Sequence, residues 1–355
     1  MGTLRTLFAI AVVFAHAGVY MFVGAQNGVQ LFYVISGFLM SLVLTESQAY
    51  PSVRRFYVNR LLRLYPIYAA VALLTLVAYG LGLRIYDQFF AVYHDIPWTA
   101  AFLLFFSNAF IFLQDWVMFS AVVDGRLVPS GNFQESSTLL YQGLLVPQAW
   151  TLGVELTFYL VAPFILPKSK WIYAFLAISL ALRVVFIAQG FGLSDPWSYR
   201  FFPTEMALFL LGSLSHQKLL PLYRRMPGSC LRATGLIGTA VLIAVSLSYA
   251  FFAAPTGIDS MALFALFLIL MPAAFIFQNG NAWDIWIGEL SYPIYICHML
   301  VIAMLLQTTG DFKQQHPYAF AWLCVLVSAV FAMVLNRWIG MPVERIRQRF
   351  RSRTA

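Results

Sequence analysis

Apolar residues dominate the chain in long runs, broken by short polar punctuation. Runs of about 17 to 25 residues, enough for a helix to cross a hydrocarbon core of about 30 Å, recur roughly eleven times. They centre near Ala11, Ser36, Leu73, Phe105, Thr157, Ile178, Phe209, Val241, Leu268, Ile296 and Val330. The pattern predicts an all-α, polytopic integral membrane helix bundle forming a single domain over residues 1–355, with no internal repeat and no appended soluble domain. The longest polar interruption, 114–147, holds Asp115, Asp124, Gly125, Pro129, Gly131, Asn132 and Glu135. It is shorter than the roughly 50 residues a soluble domain needs, and is expected to cap one face of the bundle.

Composition agrees: 61% of the 355 residues are hydrophobic and 10% charged, and the mean hydropathy is +0.79. The net charge of +8 would suggest nucleic acid in a soluble domain. Here the basic residues sit between apolar runs, as topology determinants do, and nucleic-acid binding is set aside. Arg54, Arg55, Arg60 and Arg63 follow the second run, Lys168 and Lys170 the fifth, and Lys218, Arg224, Arg225 and Arg232 the seventh. Arg345, Arg347, Arg349, Arg351 and Arg353 form the tail. By the positive-inside rule these loops and both termini are cytoplasmic, which requires an even number of crossings. The run 98–113 is therefore expected to be re-entrant or interfacial, leaving ten transmembrane helices. Arg5 with Val23-Gly24-Ala25 imitates a signal peptide, but the run is long, contains His16 and opens a series of similar runs. Cys230, Cys297 and Cys324 show neither a disulfide framework nor metal spacing.

Several polar groups interrupt apolar runs, where each is costly and hence a functional candidate. Arg5 and His16 in the run 4–21 lie three helical turns and roughly 16 Å apart on nearly one face. They read either as a snorkelling arginine with a packing histidine or as chemistry. Ser36-Gly37 reads as a helix-packing notch or as cavity lining. Arg60 and Arg63, at i,i+3, form a fork for phosphate oxygens or an anchor on anionic lipid headgroups. Glu155 is expected roughly 10 Å below the outer surface with Tyr159 one turn further along. There it either orients a membrane-embedded His16 or makes a structural hydrogen bond to a neighbouring helix. Arg200 and Glu205 flank a helix mouth, and His298 is a second intramembrane histidine. His94, His216 and His316 fall between runs and are expected to be solvated. No Walker loop, dinucleotide fingerprint or nucleophile elbow is present.

In their joint order these residues resemble the acyltransferase 3 family of membrane O-acyltransferases. The matching motifs are Arg5 with His16; Ser36-Gly37-Phe38; Arg60, Arg63 and Pro66; Trp150, Glu155, Phe158 and Tyr159; Arg200 with Pro203; and Tyr295 with His298. The resemblance implies ten transmembrane helices in a bacterial inner membrane. It also implies transfer of a short acyl group, usually acetyl, from cytoplasmic acyl-CoA to a hydroxyl of a sugar in a polysaccharide, glycolipid or glycoside. It implies His16 and Glu155 as catalytic residues. Arg5, Arg60, Arg63, Ser36, Tyr159, Arg200 and His298 would bind substrate. No metal or tightly bound cofactor is expected, and the partners are acyl-CoA, a carbohydrate acceptor, the bilayer and polysaccharide assembly machinery. The chain ends at Ala355, so the expectation is a stand-alone member without a fused esterase-like domain. A transporter or flippase of a lipid-linked sugar is the alternative; it would usually show inverted repeats, which this sequence lacks.

Overall fold

The computed structural model describes residues 1–47, 49–252 and 257–350. Helices occupy the apolar runs: α1 (Gly2–His16), α2 (Gly24–Ser41), α3 (Val53–Gly80), α4 (Phe89–His94), α5 (Trp98–Phe110), α6 (Trp150–Ile165), α7 (Ser169–Ala188) and α8 (Phe202–Leu214). They continue as α9 (Leu220–Arg224), α10 (Gly228–Phe252), α11 (Ile258–Gln278), α12 (Ala282–Thr309), α13 (Phe312–Gln315), α14 (Pro317–Leu335) and α15 (Met341–Gln348). Among the described residues, seven helical stretches are long and apolar enough to cross a membrane, and α1 and α5 are shorter apolar helices. On α7, Ile178, Leu180, Val184 and Val185 are exposed, as side chains facing lipid tails are. Of the tail arginines, Arg351 and Arg353 lie outside the described residues.

The thirteen residues of α5 rise about 20 Å, short of the thickness a crossing needs. Its last turn meets the middle of α3, where Tyr65 and Tyr68 donate to the carbonyls of Ala109 and Asn108, each at 2.8 Å. The chain then reverses through Ile111 and Leu113, both at positive φ. The polar cap that follows is not wholly helical. Strands β1 (Ser120–Val123) and β2 (Arg126–Pro129) pair antiparallel with Ser120 opposite Pro129. Asp124 and Gly125 between them both take positive φ, which a tight hairpin turn requires.

Two helix crossings depend on glycine. A Cβ on Gly37 of α2 would stand 1.9 Å from the Phe209 carbonyl oxygen, and one on Gly212 of α8 would stand 2.0 Å from that of Val34. Gly37 is thus a packing notch, whereas its neighbour Ser36 serves the cavity described below. At the second crossing a Cβ on Gly2 would stand 1.8 Å from the Asp284 carbonyl oxygen, and one on Gly288 2.5 Å from the Gly2 Cα. Here the Asp284 side chain, in the first turn of α12, caps α1. It accepts from the Gly2 and Thr3 amides and from Thr3 Oγ1, each at 2.8 Å, and its charge opposes the positive end of the α1 dipole. Thr6 Oγ1 adds a bond to the Ile287 carbonyl at 2.7 Å.

Two expectations are corrected. His216 is not solvated: it is buried in a π-helical turn, Ser215–Leu219. Its Nδ1 lies 3.0 Å from Ser41 Oγ and its Nε2 3.1 Å from Glu46. His94 and His316 are exposed. Glu205 does not share the helix mouth with Arg200: it is fully buried, paired with Arg183 at 2.5 Å, and accepts from Gln30 at 3.1 Å.

The glycine crossing gives a stability prediction. Gly37→Ala should destabilise the purified protein by about 1–3 kcal/mol in thermal unfolding, as overpacking does. Gly80→Ala, with nothing within 4 Å of its Cβ, should have no such cost.

Candidate active site

Three cavities line up along α1 and α12. The outermost on the basic side opens among Gly2, Arg5, Arg63, Asp284, Asn336 and Arg345. It leads into an inner cavity lined by Arg5, Ser36, Arg60, Arg63, Glu155 and Tyr159, with Tyr292 and Tyr295 on its α12 wall. Arg5, Arg63 and Tyr292 line both. The third cavity lies at the other end of α1, bounded by His16, Trp150, Asp195, Arg200 and residues of the polar cap.

The arginines of the inner cavity differ in kind. Arg60 is buried and held: it donates to the Tyr50 hydroxyl at 2.7 Å, and its guanidinium lies 5.6–5.9 Å from the ring centres of Tyr50, Phe56 and Tyr159. The expected fork of Arg60 with Arg63 is therefore replaced by Arg5 and Arg63. Both are half-buried, and neither has a side-chain hydrogen bond or ion pair among the described residues. A desolvated cation without a partner is a ready site for an anion.

Glu155, the carboxylate of this inner cavity, accepts from Ser36 Oγ at 2.7 Å and from the Tyr159 hydroxyl. The structure does not bring it to His16. The two residues line different cavities, and the Tyr295 hydroxyl, in the lining of the inner one, is fixed by Thr151 Oγ1 at 3.0 Å and the Gln148 carbonyl at 3.1 Å.

The partner of His16 is His298. Helix α1 ends at His16, so this ring sits at a helix terminus facing a cavity rather than in mid-helix. His298 Nδ1 lies 2.7 Å from the Tyr295 carbonyl oxygen and must carry a proton there, because a carbonyl only accepts. Its Nε2 is then an acceptor in the neutral ring, and it lies 3.3 Å from His16 Nδ1. His16 Nδ1, also 3.0 Å from the Val12 carbonyl, is thereby assigned the proton. His16 Nε2 is left as the basic ring nitrogen, without a protein partner among the described residues. His298, expected among the substrate-binding groups, is fully buried and touches His16 instead.

In the third cavity the Arg200 guanidinium stacks 4.2 Å from the Trp150 ring centre. Asp195 grips it at 2.5 and 2.9 Å, and it donates to the Tyr199 hydroxyl at 2.7 Å. Arg200 thus lines the same cavity as His16, and its charge is neutralised. Asp195, which carried no motif signal in the sequence, does this. In the same cap, burial pushes the Asp115 carboxyl up to about 7. Among the described residues no group of His, Cys, Asp and Glu side chains is arranged to hold a metal ion.

Comparison with known proteins bears on this arrangement. The family model described as an acyltransferase domain matches residues 2–337. A Staphylococcus aureus (strain COL) protein named as a candidate O-acetyltransferase is 25% identical over 96% of this chain and 56% of its own length. Nodulation protein 10 of Rhizobium leguminosarum bv. viciae is 28% identical over 85% of this chain and 82% of its own. The peptidoglycan O-acetyltransferase OatA of Listeria monocytogenes serovar 1/2a is 25% identical over 96% of this chain and 55% of its own. The chain thus spans little more than half the length of the staphylococcal and listerial relatives. No solved structure gives a significant match.

The hydrogen-bond assignment is open to 15N NMR on histidine-labelled protein. His16 should appear as the Nδ1–H tautomer, with Nε2 unprotonated. His298→Ala should mix the tautomers, and a wild-type His16 protonated at Nε2 alone would contradict the assignment.

Proposed function

The chain belongs to the acyltransferase 3 family, and we propose that it moves a short acyl group, acetyl in the simplest case, from acyl-CoA to a carbohydrate hydroxyl. The observation that carries this reading is His16 Nε2, a base without a protein partner among the described residues at the third cavity, with the unpaired guanidinium of Arg5 about three turns away on the same helix and that of Arg63, on α3, lining the same inner cavity as Arg5. The basic face is taken as the cytoplasmic side of a bacterial inner membrane, with both termini there. Arg5 and Arg63 hold the CoA phosphates, and the pantetheine arm runs through the inner cavity past Ser36 and Tyr292 towards Tyr295. Arg60, boxed by aromatic rings, shapes the wall and adds positive charge. Glu155 fixes Ser36 and Tyr159 and balances that charge; it does not orient His16.

The acceptor sugar occupies the Trp150 and Arg200 cavity, delivered there by polysaccharide assembly machinery. A stacked aromatic ring with a neutralised arginine suits a hydroxyl-rich ring. His16 Nε2 takes the proton of the acceptor hydroxyl as its oxygen attacks the thioester carbonyl. The carbon–sulfur bond breaks, and the CoA thiolate leaves with the proton returned by the imidazolium. His298 accepts from His16 Nδ1 throughout and holds the ring in the reactive tautomer.

In liposomes supplied with acetyl-CoA and an acceptor sugar, folded His16→Ala should lose turnover by about 10²–10⁴-fold, the range of general-base catalysis, with CoA binding retained. Unimpaired turnover would overturn the assignment. Arg63→Ala should chiefly raise the KM for acetyl-CoA.

A further inference from the structure

We propose that Arg345, on the C-terminal helix α15, is a third phosphate ligand of the donor and meets the 3′-phosphate of CoA. The inference rests on the acyl-CoA reading above. It concerns a segment beyond the 2–337 span that the acyltransferase domain matches.

Helix α15 is held as a wall of the outer cavity by its one buried arginine. Arg347 donates to the Asn59 carbonyl at 3.3 Å and to Asn59 Oδ1 at 3.1 Å, and Asn59 Nδ2 returns a bond to the Arg347 carbonyl at 3.0 Å. Asn59 Oδ1 also accepts from the Tyr50 hydroxyl at 2.8 Å, the same hydroxyl that receives Arg60. This chain of bonds joins the tail to the Arg60 wall of the inner cavity.

The outer cavity has more cation than its own acids neutralise. Asp284 is engaged in capping α1, and Glu344 pairs with Arg347. That leaves Arg5, Arg63 and Arg345 against Glu289. Arg345 is exposed and has no hydrogen bond or ion pair among the described residues. Three cations match the ligand's three phosphate groups.

The order of groups along CoA assigns which phosphate goes where. The thiol end must reach inward, so the pyrophosphate lies at the junction that Arg5 and Arg63 line. The adenosine 3′-phosphate, farthest from the thiol, lies at the outer mouth. Arg345 lines the outer cavity only, and so meets that group.

The test is equilibrium binding of CoA and of 3′-dephospho-CoA to the full chain in phosphatidylcholine nanodiscs. Wild-type protein should prefer CoA about fivefold, the scale of one partly exposed charge contact. Arg345→Ala should lose that preference while keeping its affinity for 3′-dephospho-CoA. Arg349→Ala, at the residue just past the end of this helix and outside the cavity, should retain it. An unchanged preference in Arg345→Ala, or an equal loss in Arg349→Ala, overturns the proposal. Repeating the titration in phosphatidylglycerol nanodiscs separates the other phosphate source: an Arg345 effect seen only there assigns the residue to a lipid headgroup and also overturns it. Wild-type protein that binds neither ligand refutes the acyl-CoA reading itself, a result distinct from wild-type binding without an Arg345 effect.

Discussion

The structure depends on how α1 is seated on α12. Gly2 and Gly288 remove the side chains that would hold the two helices apart, and Asp284 then reaches the free amides at the start of α1. The two helices run parallel from that point. Gly2 to His16 and Asp284 to His298 are equal intervals of 14 residues, a rise of about 21 Å on each helix. A clamp at one end thus delivers one imidazole against the other at the far end, within hydrogen-bonding distance. The histidine pair is a consequence of register, and register is set where no histidine is present.

Charge is partitioned along the same axis. Most buried ionic groups are closed into local sets: Glu205 with Arg183, Arg200 with Asp195, Arg347 with Glu344 and Asn59. Arg5 and Arg63 stand apart, facing cavity space without a counter-ion among the described residues. On the proposed mechanism the asymmetry would separate the two substrates by chemistry, since an anion is attracted to one end of α1 while the cavity at His16 offers an aromatic face and a neutralised arginine. It also explains why Glu155 lies on the arginine side. There it shares a cavity with Arg5, Arg60 and Arg63, whereas beside His16 it would raise the basicity of a ring that, on the proposed mechanism, has to give its proton back.

Much of this was legible in the sequence. The apolar runs coincide with the helices, and the mismatch between eleven runs and an even number of crossings pointed at 98–113, where α5 is too short to span. The eleven-residue spacing put Arg5 and His16 on nearly one face of one helix, but not His16 at its end, since the apolar run continues to Met21 whereas α1 stops at His16. What escaped is the pairing between helices. Periodicity tells which residues share a face, but not which helix that face meets. Glu155 and His16 were therefore matched by depth, although α6 presents Glu155 to Ser36 of α2. His298 could have been weighted more heavily, since only its distance from Asp284 hints at His16, and that hint has no meaning until α1 is known to start at Asp284. The i,i+3 spacing paired Arg60 with Arg63 as a fork, yet the aromatic box that immobilises Arg60 comes from Tyr50, Phe56 and Tyr159, of which Tyr159 is remote in sequence.

The central claim is that the cavity at Arg5 and Arg63 and the cavity at His16 open to opposite sides of the membrane and converge along α1. Single cysteines at Glu289 and Gln134, each in a Cys230→Ser background that removes the exposed native thiol, test it with a membrane-impermeant maleimide on sealed vesicles of both orientations. Glu289 lines the first cavity and Gln134 the second. The account predicts that Glu289→Cys labels only from the cytoplasmic face and Gln134→Cys only from the other. Labelling of both from one face would contradict it.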